Sequence, residues 1–210
     1  MGCTLSRICT AVSGGIAAYK ACELVRMLRS RGHEVRVVAT ANALEFVSKL
    51  TLQTLSGSPV RHELLEASAE SEISHIELAD WAEVFAVVPA TANVLAKLAH
   101  GLADDLLSTV ALATRAPLVV APAMNVNMYR HPATQANLDT LAKRGAEKLW
   151  QDIQRNTGTA FVPQEDPQWS AALGALAGVR LGSSLDPARL RRAFAVFVVL
   201  VGLFLLAKNA

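Results

Sequence analysis

The sequence contains few residues of several types, and each shortage excludes a class of protein. Its three cysteines all lie within the first 22 of 210 residues, which excludes a disulfide scaffold and any zinc site built from cysteine pairs. The chain also has no large excess of either charge, since 20 Lys and Arg against 18 Asp and Glu leave a net charge of +2. This balance indicates no nucleic-acid partner. Aromatic residues make up only 5%, so aliphatic side chains and alanine must form the core. With 52% apolar and 18% charged residues, the chain is not disordered as a whole.

Strand-like and helix-like segments alternate through the first 150 residues. Short β-prone runs are predicted at residues 7–12, 34–40, 83–88 and 117–121. Helical spacing of apolar residues covers 16–30, continues from the second strand to about Leu55, and returns around 92–113 and after Pro132. This alternation predicts a parallel sheet with helices on both faces. In such folds, ligands bind beyond the carboxyl ends of the strands.

The composition changes after about residue 150. We expect one domain at 1–150, a linker at 151–187 with weak periodicity, and an apolar helix within 188–210. The uncharged run 193–207 would extend about 22 Å as a helix, against roughly 30 Å of hydrocarbon in a bilayer. Three interpretations stay open: a membrane-associated helix, a helix packed on the domain or on a neighbouring subunit, or a segment joined by fusion, frameshift or truncation.

The turn after the first predicted strand is rich in glycine. Ser13, Gly14, Gly15 and Ile16 connect this strand to the first helix, where small residues let the backbone approach an anion. The turn lacks both the G-x-G-x-x-G spacing of a dinucleotide site and the lysine of a P-loop. A mononucleotide or flavin phosphate is therefore the better interpretation, with a purely structural turn as the alternative.

Small polar residues follow the other predicted strands. Thr40 and Asn42 follow the second strand, Thr91 and Asn93 the third, and Asn125 the fourth. The side chains after the second and third strands either contact a phosphate or a flavin ring, or cap the helix that comes next. Asn125 occupies a position that is typical of ligand binding. No metal site is expected, because the five histidines do not pair at i, i+4 spacing. Their positions are His33, His62, His75, His100 and His131.

Six motifs occur in order between residues 13 and 138. Together they resemble the phosphopantothenoylcysteine decarboxylase half of the bifunctional coenzyme A biosynthesis flavoprotein, within the homo-oligomeric flavin-containing cysteine decarboxylases. The resemblance covers about residues 8–146. The motifs are S-G-G-I-A-A-Y-K-A (13–21), H-I-E-L-A (75–79), P-A-T-A-N (89–93), A-K-L-A-H-G-L-A-D-D-L-L (96–107), A-P-A-M-N-V-N-M-Y (121–129) and H-P-A-T-Q-A-N-L (131–138).

This resemblance implies a Rossmann-like, three-layer subunit in a cytoplasmic trimer or dodecamer, with FMN bound non-covalently and active sites between subunits. In that family the cysteinyl thiol is oxidised to a thioaldehyde, CO₂ is lost, and the enethiol is reduced to 4′-phosphopantetheine. His75 matches the catalytic histidine, and Asn125, beside Met124, matches the residue that holds the substrate carboxylate. The positions that match FMN contacts are Ser13, Gly14, Gly15, Ile16, Thr40, Asn42, Thr91, Ala92, Asn93 and Ala123.

One departure from the family bears on the whole reaction. The family carries a C-G-D-x-G-x-G-R-M-like clamp whose cysteine serves in the final reduction, but residues 146–210 contain neither this motif nor any cysteine. The chain is therefore expected to be a decarboxylase with an incomplete second half-reaction. A peptidyl-cysteine decarboxylase and a non-catalytic flavin-binding regulatory subunit are the alternatives. The apolar run 193–207 would give either of the last two, or the enzyme itself, a contact with a membrane.

Overall fold

The computed structural model describes residues 5–64 and 75–148, in which five strands alternate with eight helices. This alternation confirms the α/β fold expected from the sequence. In chain order the elements are β1 (Arg7–Val12), α1 (Ala18–Ser30), β2 (Glu34–Ala39), α2 (Ala41–Leu44), α3 (Lys49–Ser56), α4 (His75–Trp81), β3 (Val84–Ala90), α5 (Ala92–His100), α6 (Leu106–Ala113), β4 (Leu118–Pro122), α7 (Val126–Arg130), α8 (Pro132–Lys143) and β5 (Glu147–Lys148).

The sheet is parallel throughout, with the strand order β2-β1-β3-β4-β5. The chain leaves β1 toward β2 on one side, and later returns to place β3 on the other side of β1. The order therefore reverses between β1 and β3, and an open α/β sheet forms its ligand crevice at such a point. The sheet topology thus selects the carboxyl ends of β1 and β3 as the centre of any site.

Helices cover both faces of this sheet, which gives the three layers expected of a Rossmann-like subunit. Cys9 and Ala11 of β1 belong to a buried apolar cluster with residues of α4, α5, α6 and α8. Ile8 and Val12 alternate with them and point to the opposite face, where α1 packs against β1, β2 and β3, and α3 packs against α1. All of these β1 side chains are buried, as expected for a strand covered on both sides.

The helix predicted to run from the second strand to about Leu55 is two helices, so this expectation was wrong in detail. The backbone at Ser48 is extended, and the Ser48 hydroxyl accepts a hydrogen bond from the amide of Thr51, which starts α3 afresh. Other boundaries shift by one or two residues: α1 begins at Ala18, and β3 continues past the cis Val88–Pro89 peptide to Ala90. The short elements α7 and β5 have no counterpart in the sequence-based prediction.

Two glycines follow the ends of their helices in a left-handed backbone conformation. Gly32, after α1, has a φ of 88°, and Gly101, after α5, has a φ of 70°, a conformation that glycine adopts without the steric penalty of a Cβ atom. No helix in residues 5–64 or 75–148 is long and apolar enough to cross a membrane. The predicted linker 151–187 and the apolar helix of 188–210 lie outside the described residues.

Candidate functional site

Hydrogen bonds join four neighbouring strands at their carboxyl ends. The amide of Thr40, after β2, donates to the carbonyl of Val12 in β1 at 3.0 Å. The Ser13 hydroxyl, after β1, donates to the carbonyl of Pro89 in β3 at 2.7 Å. The amide of Ala123, after β4, donates to the carbonyl of Ala90 in β3 at 3.0 Å. We call this row of strand ends, with the turns that follow them, the carboxyl edge.

Every site residue predicted from the sequence except His75 lies on the carboxyl edge. The turn after β1 holds Ser13 to Ile16, and the turn after β4 holds Ala123 to Asn125. After β2 the predicted residues are Thr40 and, in the first turn of α2, Asn42; after β3 they are Thr91 and, in the first turn of α5, Ala92 and Asn93. The sequence alone does not order the four turns. The sheet brings the first and third turns side by side at the point where the strand order reverses.

The β1–α1 turn presents backbone donors that the described protein leaves unused. Among the described residues, the amides of Gly14, Gly15 and Ile16 donate no hydrogen bond. Ala17 at the start of α1 has no side-chain cap. All other helices whose N-cap residue is described do have one, from Thr40, Ser48, Thr91, Asp105, Asn125 or His131. The turn thus combines free amides with the positive end of a helix dipole, which suits an anion.

The Ser13 side chain is occupied within the protein. It is fully buried, donates to Pro89, and accepts a 3.2 Å hydrogen bond from the amide of Thr91. The Thr91 hydroxyl lies 3.5 Å from that of Ser13 and also accepts from the amide of Val94, where it caps α5. Ser13 therefore fixes the β1–α1 turn against the start of α5.

Gly14 is required because the turn after β2 lies against it. A Cβ atom at Gly14 would lie 2.4 Å from the Asn42 Cβ and within 2.8 Å of the Asn42 backbone. At Gly15 the nearest atom to such a Cβ would be the Thr91 methyl carbon at 3.6 Å, which is ordinary contact. The first glycine thus allows a close approach of Asn42, whereas no comparably close approach occurs at the second.

The sequence left two roles open for the polar strand-end residues, ligand contact or helix capping. Thr40 caps α2 through the amide of Ala43 at 3.2 Å, as Thr91 caps α5. The side chains of Asn42 and Asn93 are exposed at the same edge. The two threonine hydroxyls therefore serve the helices, and the two asparagine side chains are the accessible polar groups beside them.

The turn after β4 holds an asparagine in a defined orientation. The Asn125 Oδ1 accepts a 2.8 Å hydrogen bond from the amide of Asn127 and caps α7. This bond assigns the exposed Nδ2 as the group that faces away from the helix, with two N–H donors. Met124 beside it is half-buried against the apolar cluster.

His75 is the first residue of α4 and lies outside the four turns. His75, Leu78, Ala79 and Ala82 follow the spacing i, i+3, i+4 and i+7, which places them on one stripe of the helix. The last three are buried against the sheet, and His75 is half-buried. Because α4 leads into β3 and runs back across the sheet, the His75 end of the stripe points toward the carboxyl edge.

Comparison with known proteins places this fold in a family. Residues 4–166 match the model of the family described as Flavoprotein. The chain belongs to the flavoprotein family.

Similar flavoproteins include the coenzyme A biosynthesis bifunctional protein CoaBC of Vibrio vulnificus, which is 51% identical over 144 residues, 69% of this chain and 36% of the relative. The chain therefore spans about a third of the length of the curated relatives it matches. A variant PPC decarboxylase, solved with pantothenoylaminoethenethiol, aligns with a TM-score of 0.61 at 36% identity, over 69% of this chain and 81% of that one. SpaF, an FMN-dependent cysteine decarboxylase, aligns with a TM-score of 0.65 at 33% identity, over 70% and 84%.

The residues of this flavoprotein's carboxyl edge fit a flavin phosphate. The unused amides of the β1–α1 turn supply donors, and Gly14 and Gly15 have no side chain that would cover them. No cluster of three His, Cys, Asp or Glu side chains in residues 5–64 and 75–148 could hold a metal ion.

The two described cysteines do not supply a reactive thiol. Burial raises the pKa of Cys9 to about 12, and Arg36 offsets only part of this effect. Burial also raises the pKa of Cys22 on α1. Both thiols are therefore protonated near neutral pH and are poor nucleophiles.

Proposed function

We propose that this flavoprotein binds FMN and decarboxylates 4′-phosphopantothenoylcysteine, toward 4′-phosphopantetheine in coenzyme A biosynthesis. The proposal draws on two similar proteins, the bifunctional coenzyme A biosynthesis protein at 51% identity and PPC decarboxylase at 36%. The activity is that of a flavin-dependent carboxy-lyase on a small-molecule substrate. The observation that carries the proposal is the β1–α1 turn, which offers three unused amides where the strand order reverses.

We assign the contacts with FMN to residues of this chain according to their positions. The amides of Gly14, Gly15 and Ile16 hold the FMN phosphate, with Ser13 fixing their turn. The remaining FMN contacts come from Thr40, Asn42, Thr91, Ala92, Asn93 and Ala123, which surround this turn on the carboxyl edge. When bound, the flavin supplies the redox chemistry that prepares the substrate thiol carbon for loss of CO₂.

In this proposal Asn125 binds the substrate carboxylate. Its Oδ1 is held by the Asn127 amide at 2.8 Å, so the Nδ2 group faces outward as a donor. A neutral amide that donates to a carboxylate binds the group to be lost without neutralising it, which keeps the carboxylate able to leave as CO₂. Met124 beside it supplies apolar surface for the uncharged part of the substrate.

His75 provides the proton transfer that the reaction requires. Imidazole is the side chain best suited to exchange a proton near neutral pH. His75 is half-buried at the end of the buried stripe of α4, so its ring is partly shielded from solvent. In this role His75 removes a proton during oxidation of the thiol and assists decarboxylation.

The decisive experiment uses the purified full chain. A visible spectrum first shows whether flavin is bound; the flavin-loaded chain is then incubated with 4′-phosphopantothenoylcysteine, and CO₂ and the product mass are followed. We expect bound flavin and release of CO₂, with His75→Gln as the matched variant that retains flavin and releases none. Because the clamp cysteine is absent, we expect the enethiol to accumulate ahead of 4′-phosphopantetheine. Bound flavin without CO₂ from this substrate or from a peptide with a C-terminal cysteine would exclude a decarboxylase and favour a regulatory flavin-binding subunit.

A C-terminal cysteine peptide serves as the second substrate in the same assay. The 51% identity to the coenzyme A biosynthesis protein favours the phosphopantothenoyl substrate. We therefore expect the peptide to be turned over poorly. Peptide decarboxylation without turnover of the phosphopantothenoyl compound would reverse this order.

Assembly and location are further parts of the proposal. We expect a cytoplasmic homo-oligomer, a trimer or a dodecamer, and light scattering of the full chain measures its mass directly. Contact of 193–207 with a membrane is tested by fractionating cells that express the full chain or a variant lacking residues 188–210. Equal recovery of both in the soluble fraction would exclude the membrane contact.

A further inference from the structure

An arginine of β2 contacts the helix that carries His75. The Arg36 guanidinium carbon lies 4.4 Å from the centre of the Trp81 ring, in cation–π geometry. Its Nη1 atom lies 3.6 Å from the Glu77 Oε1. Glu77 and Trp81 are four residues apart and therefore lie on one side of α4. We call these three residues the Arg36 clamp. None of them belongs to the carboxyl edge.

The helix needs such a contact because it is short. The seven residues of α4 form about two turns, and a helix of this length does not persist on its own in water. Leu78 and Ala79 bury its inner stripe, and the Thr114 hydroxyl donates to the Ala79 carbonyl at 2.8 Å. These contacts hold the inner side of the helix against the sheet, but they leave rotation about the helix axis to be fixed from the side.

The geometry of the Arg36 clamp supplies this lateral restraint. The Glu77 carboxylate is half-exposed, and an ion pair of this kind contributes little by itself. The planar guanidinium, by contrast, stacks on the indole ring and fixes the direction of the contact. The arginine side chain is about three-quarters buried, so its position is itself determined by the surrounding sheet.

We propose that Arg36 is a positioning residue for His75: by restraining α4 at Glu77 and Trp81, it sets the direction in which the imidazole leaves the start of the helix. The proposal rests on the catalytic role of His75 stated above. It assigns Arg36 no contact with substrate or flavin. A lysine at this position would keep the charge but lose the planar group that stacks on Trp81.

The test compares Arg36→Met and Arg36→Lys with Arg7→Met in the flavin-loaded full chain. Arg7 is a matched control, because it is also a strand arginine paired with a glutamate, Glu83 at 3.7 Å, but at the amino end of β1. We expect Arg36→Met to lower kcat by about 10- to 100-fold, as small displacements of a catalytic group do. KM and flavin content should stay within twofold, Arg36→Lys should recover only part of kcat, and Arg7→Met should match the wild type.

A second readout does not depend on turnover. The ring protons of His75 are followed by NMR in the full chain and assigned by their absence in His75→Gln. The chemical shifts of these protons should change in Arg36→Met and remain the same in Arg7→Met. Should Arg36→Met fail to fold, Arg36→Lys and Trp81→Leu replace it. The chemical shifts of the His75 ring protons should change in both variants.

The outcomes separate this inference from the proposed function. A wild-type chain that binds flavin and releases no CO₂ contradicts the proposed function, while the NMR comparison still decides whether Arg36 positions His75. An active wild type with unchanged kcat and an unchanged His75 signal in the Arg36 variants would overturn the inference alone. Equal losses of kcat and flavin content would also overturn it, since they indicate a general structural role.

Discussion

The Ser13 hydroxyl donates a 2.7 Å hydrogen bond to the carbonyl of Pro89, 76 residues away in the sequence. The same oxygen accepts from the amide of Thr91 at 3.2 Å. One buried hydroxyl therefore satisfies a carbonyl of β3 and an amide at the start of α5. The bond joins the two strands between which the order of the sheet reverses, and so it fixes the turn that we propose holds the flavin phosphate.

Substitution of this serine should destabilise the protein. In Ser13→Ala the Pro89 carbonyl and the Thr91 amide both lose their partner in a buried place, which costs about 1–3 kcal/mol. Urea unfolding measures the difference, and the visible spectrum measures the flavin retained. Ser30→Ala is the control, because the Ser30 hydroxyl makes a comparable 2.9 Å bond on the exposed end of α1. A Ser13→Ala variant as stable as Ser30→Ala would contradict the structural role.

The two glycines of the β1–α1 turn should respond differently to alanine. In Gly14→Ala the new methyl group would lie 2.4 Å from the Asn42 Cβ, with the Asn42 backbone within 2.8 Å, so the two turns must separate. We expect lower stability and loss of bound flavin. Gly15→Ala meets only the Thr91 methyl carbon at 3.6 Å, so the fold should be unchanged. Thermal unfolding of both variants checks this contrast, and equal melting temperatures would contradict the close approach at Gly14.

Asn125→Asp separates the helix-capping role of Asn125 from its proposed role in binding the substrate carboxylate. An aspartate carboxylate caps α7 as well as an asparagine does, so Asn125→Asp should fold normally. It has no N–H donor, however, and its charge would repel the substrate carboxylate. We expect KM for 4′-phosphopantothenoylcysteine to rise at least tenfold, the equivalent of about 1.4 kcal/mol, with flavin retained. If KM in this variant equals that of the wild type, Asn125 does not bind the substrate carboxylate.

The pH dependence of stability should reveal the ion pair at the start of α6. Burial raises the pKa of Asp105, but hydrogen bonds from Lys97 at 2.8 Å and from Ser108 outweigh it, so the pKa lies below its usual value. A carboxyl group with a lowered pKa stabilises the fold above its unfolded pKa of about 3.9, and this contribution is lost as the pH falls through the folded value.

Asp105→Asn isolates this charge because asparagine also caps helices. We expect it to be less stable than the wild type at pH 7, and the difference in unfolding free energy to shrink below about pH 4. Asp105→Ala loses the cap as well, so a further deficit of about 1 kcal/mol should persist in acid. Urea unfolding at a series of pH values distinguishes the two. A constant difference between wild type and Asp105→Asn at all pH values would exclude the ion pair as its cause.

Much of the fold could be predicted because it depends on neighbouring residues in the chain. The apolar run of β1 ends at a Gly-Gly turn, and the structure has the same strand bounds, Arg7–Val12. The helix boundary at Ser48 was missed because a serine within an apolar periodicity is compatible both with a helix interior and with a new start. Only its extended backbone, and the Thr51 amide that it caps, show the break.

The sequence selects candidate site residues, but it does not give their arrangement. Thr40 and Thr91 each had two possible roles, ligand contact or helix capping, and in the fold their hydroxyls cap helices. Arg36 carried no signal, because a single arginine in a strand is usually solvated. Its importance depends on Trp81, which is 45 positions further along the chain.

The sequence by itself determined the alternation of strands and helices, the glycine turn and the membership of the flavoprotein family, since each depends on local periodicity or short motifs. Only the tertiary structure decided that β3 lies beside β1, that Ser13 meets Pro89, and that Arg36 stacks on Trp81. The reason is physical: local propensity fixes what each segment becomes, whereas strand order follows from burying both faces of the whole sheet at once.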